Sequence, residues 1–201
     1  FGRNIWGTPP QGCADYGFQQ HIIKSLKPES GRSVVLWPHG VLFRDSEAEM
    51  RKKMIEDDLV DAVIGLGKNL FYNSSMESCL LICNMNKPKN RKGKVIFIDG
   101  KDEIRLERSA AYLKDEHIKR MADAYWNYKD QDGFAAVVKT KDILKENNGN
   151  LSIQLYVKAE SIDSAHSVQH LLTTIHANRN SLEDGYNKLN SKLKELGIEM
   201  S

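Results

Sequence analysis

The 201-residue sequence is 40% apolar and 28% charged, and its formal net charge is only +2. That composition predicts a soluble globular core and excludes a disordered chain, a collagen-like repeat and a strongly basic nucleic-acid binder. A local basic face stays open, because steering depends on where charge sits rather than on its total. Three cysteines without metal-ligand spacing exclude a disulfide scaffold; with no signal peptide and no apolar run near the ~20 residues that span a bilayer, the expectation is a cytoplasmic protein without a membrane span.

The chain begins at Phe1 rather than at a methionine, which predicts an excised piece of a longer protein. Residues 1–12 (FGRNIWGTPPQG) are rich in Gly and Pro and read as a loop. Helical periodicity runs from Ala14 to Leu26, with Phe18, Ile22 and Leu26 on one face and Asp15 in the first turn, where the helix dipole favours an acid. After a turn at 28–32, the short β-branched run SVVLW at 33–37 reads as a buried strand ended by Pro38, His39 and Gly40. Ser46 with Glu49 three residues later reads as the capping box of a helix reaching about Glu56. That helix is expected to bury Met50 and Met54 and to turn Glu47, Arg51, Lys52 and Lys53 to water.

Further strands are predicted at 59–66 (LVDAVIGL), 78–84 (SCLLICN, with Cys79 and Cys83 as buried thiols) and 94–99 (KVIFID). A helical crossover between the first two strands predicts an α/β sheet that is at least partly parallel. The loop at 67–77 is too short for a helix, so the second and third strands are expected to be antiparallel; the same holds for the third and fourth if they are neighbours. A helix over 114–127 (Ile118, Met121, Ala122 and Tyr125 on one face), a short strand at 134–138, a helix from Thr140 to about Glu146, an NNGN turn at 147–150 and an extended segment at 151–157 follow.

The last segment differs in kind. Val168, Leu172, Ile175, Leu182, Tyr186, Leu189, Leu193 and Leu196 recur at spacings of three and four, interrupted by Arg179, with Gly197 as a stop. This predicts a helical arm at 158–201 after a first domain at 1–157. The arm either packs on its own domain or offers a seam to a partner helix, and a break near Arg179 and Gly185 would make it two helices.

Chemistry is sparse. No glycine-rich phosphate loop, HExxH or nucleophile elbow is present, which argues against a hydrolase or nucleotide enzyme. Asp15 and His21 are six apart and need not face each other, and Gly65–Leu66–Gly67 is a weak nucleotide signal. His39 follows a strand and is expected at the sheet's C-terminal rim, where open α/β sheets bind ligands, unless it is merely structural. Lys87, Lys89, Arg91, Lys92 and Lys94 form the densest basic patch, read either as a solvated turn or as a phosphate contact. Phe71 and Tyr72, beside Asn73, either pack under their loop or stack on an extruded base.

Three stretches carry a resemblance: WGTPPQGCADYGFQQHI at 6–22, GRSVVLWPHGVLFRDSEAEMRKKMIEDDLVDAVIGLGKNLFYNSSMESCLLICNMNK at 31–87, and RKGKVIFIDG at 91–100, with NLSIQLYV at 150–157 as a weaker echo. The chain resembles the C-terminal part of the modification (methyltransferase) subunit of type I restriction-modification systems. The resemblance implies the second half of a Rossmann-like, mixed seven-stranded sheet, with 33–37, 60–66 and 78–84 as its fifth, sixth and antiparallel seventh strands. It also implies adenine-N6 methylation of DNA from S-adenosylmethionine in the parent protein.

In that family an Asn-Pro-Pro-Phe tetrapeptide grips the extruded adenine. Phe1 matches its aromatic end, and Thr8-Pro9-Pro10 is a decoy without the Asn or the aromatic. The resemblance thus implies a piece that is inactive by itself, with no cofactor bound. Phe71, Tyr72, Asn73 and His39 would border the base, and Lys87, Lys89, Arg91 and Lys92 would meet DNA. Val168, Leu172, Ile175, Leu182, Tyr186, Leu189 and Leu193 would dock on the DNA-specificity subunit, in an assembly that also holds the restriction subunit. The alternative is a non-catalytic assembly module that docks on the DNA-specificity subunit; separately, the exposed sheet edge or the tail is expected to make the piece a homodimer.

Overall fold

Runs of β-branched and apolar residues build five strands of one sheet, but their spatial order departs from their order in the chain. The structure is a computed structural model that describes residues 2–72, 74–107 and 110–158, and beyond them Ile175, Asn178, Arg179, Leu182, Glu183, Gly185 and Lys192, all helical. The chain divides into two compact units, Phe1–Ala159 and Glu160–Ser201. No helix among the described residues is long and apolar enough to cross a membrane.

In the first unit, α1 (Asp15–Ser25), β1 (Arg32–Pro38), α2 (Ala48–Glu56), β2 (Val60–Leu66), β3 (Ser78–Asn84) and β4 (Lys94–Gly100) are followed by a small hairpin of β5 (Arg105–Glu107) and β6 (Ala110–Tyr112). Then come α3 (Asp115–Asn127), β7 (Ala135–Lys139) and α4 (Thr140–Glu146). The sheet order is β1-β3-β2-β4-β7. Strand β3 lies antiparallel between β1 and β2, with Leu81 opposite both Val35 and Val63. The expected reversal between the second and third strands is therefore present. The third and fourth strands, expected to be antiparallel if neighbours, are not neighbours: β4 pairs parallel with β2 and antiparallel with β7. Both edges of β3 are already taken, so the chain must pass over β2 before it can add another strand.

Two apolar layers sandwich the sheet. One face packs Trp37, Val63, Leu81, Val95 and Phe97 with residues of α1, α2 and α4. The other packs Ala62, Ile64, Ile82, Ile96 and Ile98 against Met121, Ala124 and Tyr125 of α3. Every position of β2 is buried. Strand β1 differs: it pairs on one side only, and Val34 and Leu36 are 62% and 44% exposed.

Several local expectations fail for identifiable reasons. The buried face of α1 is Tyr16, Gln19, Gln20 and Ile23, while Phe18 is exposed. Both glutamines find partners inside: Trp37 Nε1 donates to Gln19 Oε1 (2.9 Å), and Gln20 accepts from the Trp6 amide (2.7 Å) and donates to the Gly7 carbonyl (3.0 Å). Hydrogen bonding offsets the desolvation that normally keeps amides outside. Helix α2 starts without a side-chain cap, and Ser46 sits in a preceding 3-10 turn at Asp45–Glu47. Arg51 and Glu47, expected in water, are buried; Arg51 donates to the carbonyls of Gly149, Arg44 and Val41. Thr140 opens α4 without capping it, and residues 151–157 contain a 3-10 turn at Ile153–Leu155 rather than an extended run.

The basic turn before β4 is the largest correction. Lys87 and Arg91 are buried, not offered to phosphate. Lys87 Nζ pairs with Asp58 Oδ1 (2.6 Å) and donates to the Lys94 carbonyl (2.8 Å). Arg91 lies 3.3 Å from Asp61 Oδ2, donates to the carbonyls of Tyr125 and Trp126, and lies over the rings of Tyr125 and Tyr128 at 4.8 and 4.3 Å. Asp61 occupies a bulge in β2, where the register shifts between Val60 and Ala62, and its Oδ2 also accepts from the Tyr125 hydroxyl (2.8 Å). Burial, with the Asp61 carboxylate second, raises the Tyr125 phenol above its ordinary range.

Removing one partner of a buried pair leaves the other charge uncompensated, so Asp61→Ala should lower unfolding free energy by about 3–5 kcal/mol, read from the urea midpoint. Burial pushes the thiols of Cys79 and Cys83 up to about 12, so a thiol reagent at pH 8 should titrate one cysteine, Cys13, in the native chain and all three once urea unfolds it.

Candidate functional site

Strands β1, β2 and β4 run in the same direction, so the segments that leave their ends gather at one rim of the sheet. Open α/β sheets bind ligands there. The rim holds His39 and Gly40 after β1, the 67–77 loop after β2, and the segment from Lys101 into the β5–β6 hairpin after β4.

Glycines let these segments approach. A Cβ on Gly65 would lie 2.8 Å from the Ile153 side chain, and one on Gly67 would lie 2.4 Å from the Lys101 carbonyl. The Gly65–Leu66–Gly67 signal therefore reflects close packing of a strand end and its neighbours.

His39 is tied down twice. Its amide donates to the Glu77 carbonyl (3.4 Å), and its Nδ1 lies 3.7 Å from Glu77 Oε2. Glu77 Oε1 also lies 3.7 Å from Lys68 Nζ, so one carboxylate links the loops after β1 and β2. Phe43 meets the His39 ring edge-on at 6.1 Å. Beneath this loop, Arg44 pairs with Asp15 and reaches the buried Glu47 at 3.2 Å. Burial raises the Glu47 carboxyl above its usual range, against the opposing pull of Arg44.

Two adjoining hollows open beside these groups. One, of about 180 Å³, is lined by Leu36, Trp37, Pro38, Phe71, Ser74 and Met76. The other, of about 310 Å³, is lined by His39, Gly40, Lys68 and Ser75, and the two share Pro38, Met76 and Glu77. Phe71 is partly exposed at the first hollow's wall, and an isolated bridge from Phe71 to Ser74 turns the loop tip. Tyr72 projects from that tip with 95% of its surface in water. Ser78, at the floor, has a buried hydroxyl without a partner.

The rim thus brings His39, Phe71 and Tyr72 to one end of the sheet. Lys89 and Lys92 are exposed at the opposite end, in the turn between the end of β3 and the start of β4, about 20 Å away by the length of a seven-residue strand. They do not share a surface with the loop aromatics. Phe1 and Asn73 lie outside the described residues, as do Val168, Leu172, Tyr186, Leu189 and Leu193. Sequence reasoning missed Glu77, Lys68 and Met76. The signal was there: a loop too short for a crossover must return to the rim it left, beside His39.

A larger groove of about 700 Å³ lies along the N-terminal segment, between Arg3, Pro9, Pro10, Cys13, Phe18 and His21. Arg3 donates to His21 Nδ1 there (2.6 Å), and Asp15 turns to Arg44, so Asp15 and His21 form no acid–base pair.

A family model for N-6 DNA methylase matches residues 2–165. This chain belongs to that family. It is 37% identical over 157 residues to the methylase subunit of the type I restriction enzyme MjaVIII of Methanocaldococcus jannaschii, covering 76% of this chain and 26% of that protein. It is 29% identical over 188 residues to the MpnII methylase subunit of Mycoplasma pneumoniae, covering 93% of this chain and 33% of that one. Among solved structures, the type I methyltransferase subunit of Streptococcus thermophilus is similar with a TM-score of 0.69 and 36% identity, over 74% of this chain and 31% of its own. The chain therefore spans about a quarter to a third of the length of these relatives.

With 95% of Tyr72 in water, Tyr72→Ala should leave the urea midpoint unchanged within about 0.5 kcal/mol; a larger loss would mean that the ring packs on something in the folded chain.

Proposed function

We propose that this chain is the C-terminal part of the catalytic domain of a type I restriction-modification methylase subunit, which in the whole protein transfers a methyl group from S-adenosylmethionine to the N6 of adenine in DNA. The observation that carries the reading is the 67–77 loop. In a chain of the N-6 DNA methylase family, it lifts an aromatic ring into solvent at the C-terminal rim, beside a hollow walled by a second aromatic. An extruded base needs such a flat apolar partner, because it leaves its stacking neighbours behind. In this reading Tyr72 and Phe71 supply the stacking surface, and Glu77 orients His39 at the wall; Asn73, next in the chain, is a further base contact by the same reading.

In this reading the cofactor's own site lies elsewhere in the protein: the groove of about 700 Å³ has Arg3, Asn4 and His21 among its lining residues and no carboxylate to accept ribose hydroxyls. This part of the protein is therefore inactive alone in this reading, and the methyl donor is held by other parts of the protein, cytoplasmic like the rest. The unpaired side of β1, with Val34 and Leu36 exposed, is where the remaining strands of the sheet would add.

A second reading rests on the helical unit. Ile175 and Leu182 are seven residues apart, helical and exposed, Leu182 by 74%. That spacing suits a seam for a helix of the DNA-specificity subunit, in an assembly with the restriction subunit and DNA, or for a second copy of this chain.

Tyr72→Ala and Phe71→Ala, made in the whole methylase, should each reduce methylation about fivefold or more, as expected for a lost stacking contact worth about 1–3 kcal/mol. They should also quench the fluorescence rise of 2-aminopurine placed at the target adenine. Wild-type rates in both variants would overturn the stacking role. Leu182→Asp should abolish co-purification with the specificity subunit while leaving the first unit's unfolding unchanged; retained co-purification would remove the seam.

A further inference from the structure

The hairpin of β5 and β6 is the one paired element that contributes almost nothing to the core: of its described residues only Ala111 is buried, and Arg105, Leu106 and Glu107 all face water. Two three-residue strands do not hold together unaided in water. This pair is held by its attachment to the aromatic loop. The Ala111 amide donates to the Asn69 carbonyl (2.9 Å), and Ile104, just before the hairpin, packs so closely on Gly67 that a Cβ there would lie 3.0 Å from its side chain. The hairpin and the loop that carries Phe71 and Tyr72 are thus fastened together at the same rim.

The hairpin's exposed face carries a guanidinium: Arg44, Arg91 and Arg120 each pair with a carboxylate, whereas Arg105, like Arg3 and Arg32, makes no ion pair among the described residues. Of the acids near it, Glu103 pairs with Arg120, and Glu107, two residues on in the same strand, accepts from the Tyr112 hydroxyl (3.0 Å). Arg105 and Tyr112 are directly opposite in register, so a guanidinium and an aromatic ring lie side by side on one face, with the exposed Lys68 on the neighbouring loop. A planar guanidinium beside an aromatic suits a phosphodiester strand, through bidentate bonds to phosphate and a surface for a sugar or base.

We infer that the β5–β6 hairpin grips the DNA strand beside the extruded adenine, with Arg105 on a phosphate and Tyr112 against the adjoining nucleotide. The inference rests on the reading of the 67–77 loop given above and adds a strand contact that the loop alone does not provide. It also relocates DNA contact to the rim, away from Lys89 and Lys92 at the far end of the sheet.

The test is made in the whole methylase with its specificity subunit. Affinity for a fluorescein-labelled duplex carrying the target site is measured against salt for Arg105→Ala, Arg105→Lys and Tyr72→Ala. Losing one phosphate contact should flatten the slope of log K against log salt by about 0.9 in Arg105→Ala. Arg105→Lys should restore the slope but not all of the affinity, and the unfolding midpoint should be unchanged because the side chain is exposed. An unchanged slope in Arg105→Ala, with Tyr72→Ala still impaired in methylation, would overturn the hairpin contact and leave the stacking loop standing. Unchanged binding and methylation in all three variants would overturn both. A changed midpoint with an unchanged slope would reduce Arg105 to a structural role and equally end the inference.

Discussion

One antiparallel strand organises this sheet. β3 occupies the space between β1 and β2, which run in the same direction and would otherwise be neighbours, and satisfies the backbone groups of both. Three consequences follow from that insertion. The chain must reverse between β2 and β3 without a helix, so the 67–77 loop has to rise at the rim it has just reached. β1 is pushed to the margin. The chain leaving β3 must then cross β2 to reach β4's position, and it does so at the opposite end. The location of the aromatic loop, the exposed strand edge and the buried basic turn are all outcomes of one pairing choice.

The two ends of the sheet are built with different physics. At the end that holds the crossover, Asp58 and Asp61 receive Lys87 and Arg91, and Asp58 also accepts from the Gly93 amide (2.9 Å). Charges withdrawn from water are costly unless paired and hydrogen-bonded. Here Lys87 and Arg91 each pair with an acid and also donate to backbone carbonyls. The arrangement fastens a segment with no regular structure across the start of β2. At the rim, the pairs that join the loops after β1 and β2 are longer, His39–Glu77 and Lys68–Glu77 both at 3.7 Å, whereas Lys101–Asp99 after β4 is at 3.0 Å. Such contacts orient side chains without adding much to stability. Buried pairs fasten the crossover end, and partly exposed ones join the two loops at the rim.

What the sequence revealed follows the same division. Strands announced themselves as short β-branched runs, and loop length alone was enough to infer the reversal of β3. Apolar periodicity failed for α1 because Gln19 and Gln20 are buried by specific hydrogen bonds, which a hydrophobic pattern cannot register. It failed for Arg51 for the same reason. The basic patch misled because a run of lysines and arginines does not show which of them have acids waiting: Asp58 and Asp61 lie about thirty residues upstream in the chain and become neighbours only when β2 and the crossover meet. The fourth strand's partner was illegible because its position depends on which edges earlier strands have already used. At the site, His39, Phe71 and Tyr72 were readable as strand-end and loop residues; Glu77, which ties their loops together, was legible only through the length of its loop, and the hairpin beside them carried no local pattern.

The exposed margin of β1 gives these observations a direction. One of its faces is covered where Trp37 meets Tyr16 and Ile23 of α1, but α3 covers the opposite face only over β2, β4 and their neighbours, leaving Val34 and Leu36 in water. An apolar strand that is unpaired on one side and uncovered on one face invites association unless something protects it, and among the described residues no charge-bearing bulge or overlying helix does so. The hollow lined by Leu36, Trp37 and Phe71 sits at the end of this same margin. The hollow and the unpaired edge therefore adjoin, since Leu36 lines the one and lies on the other.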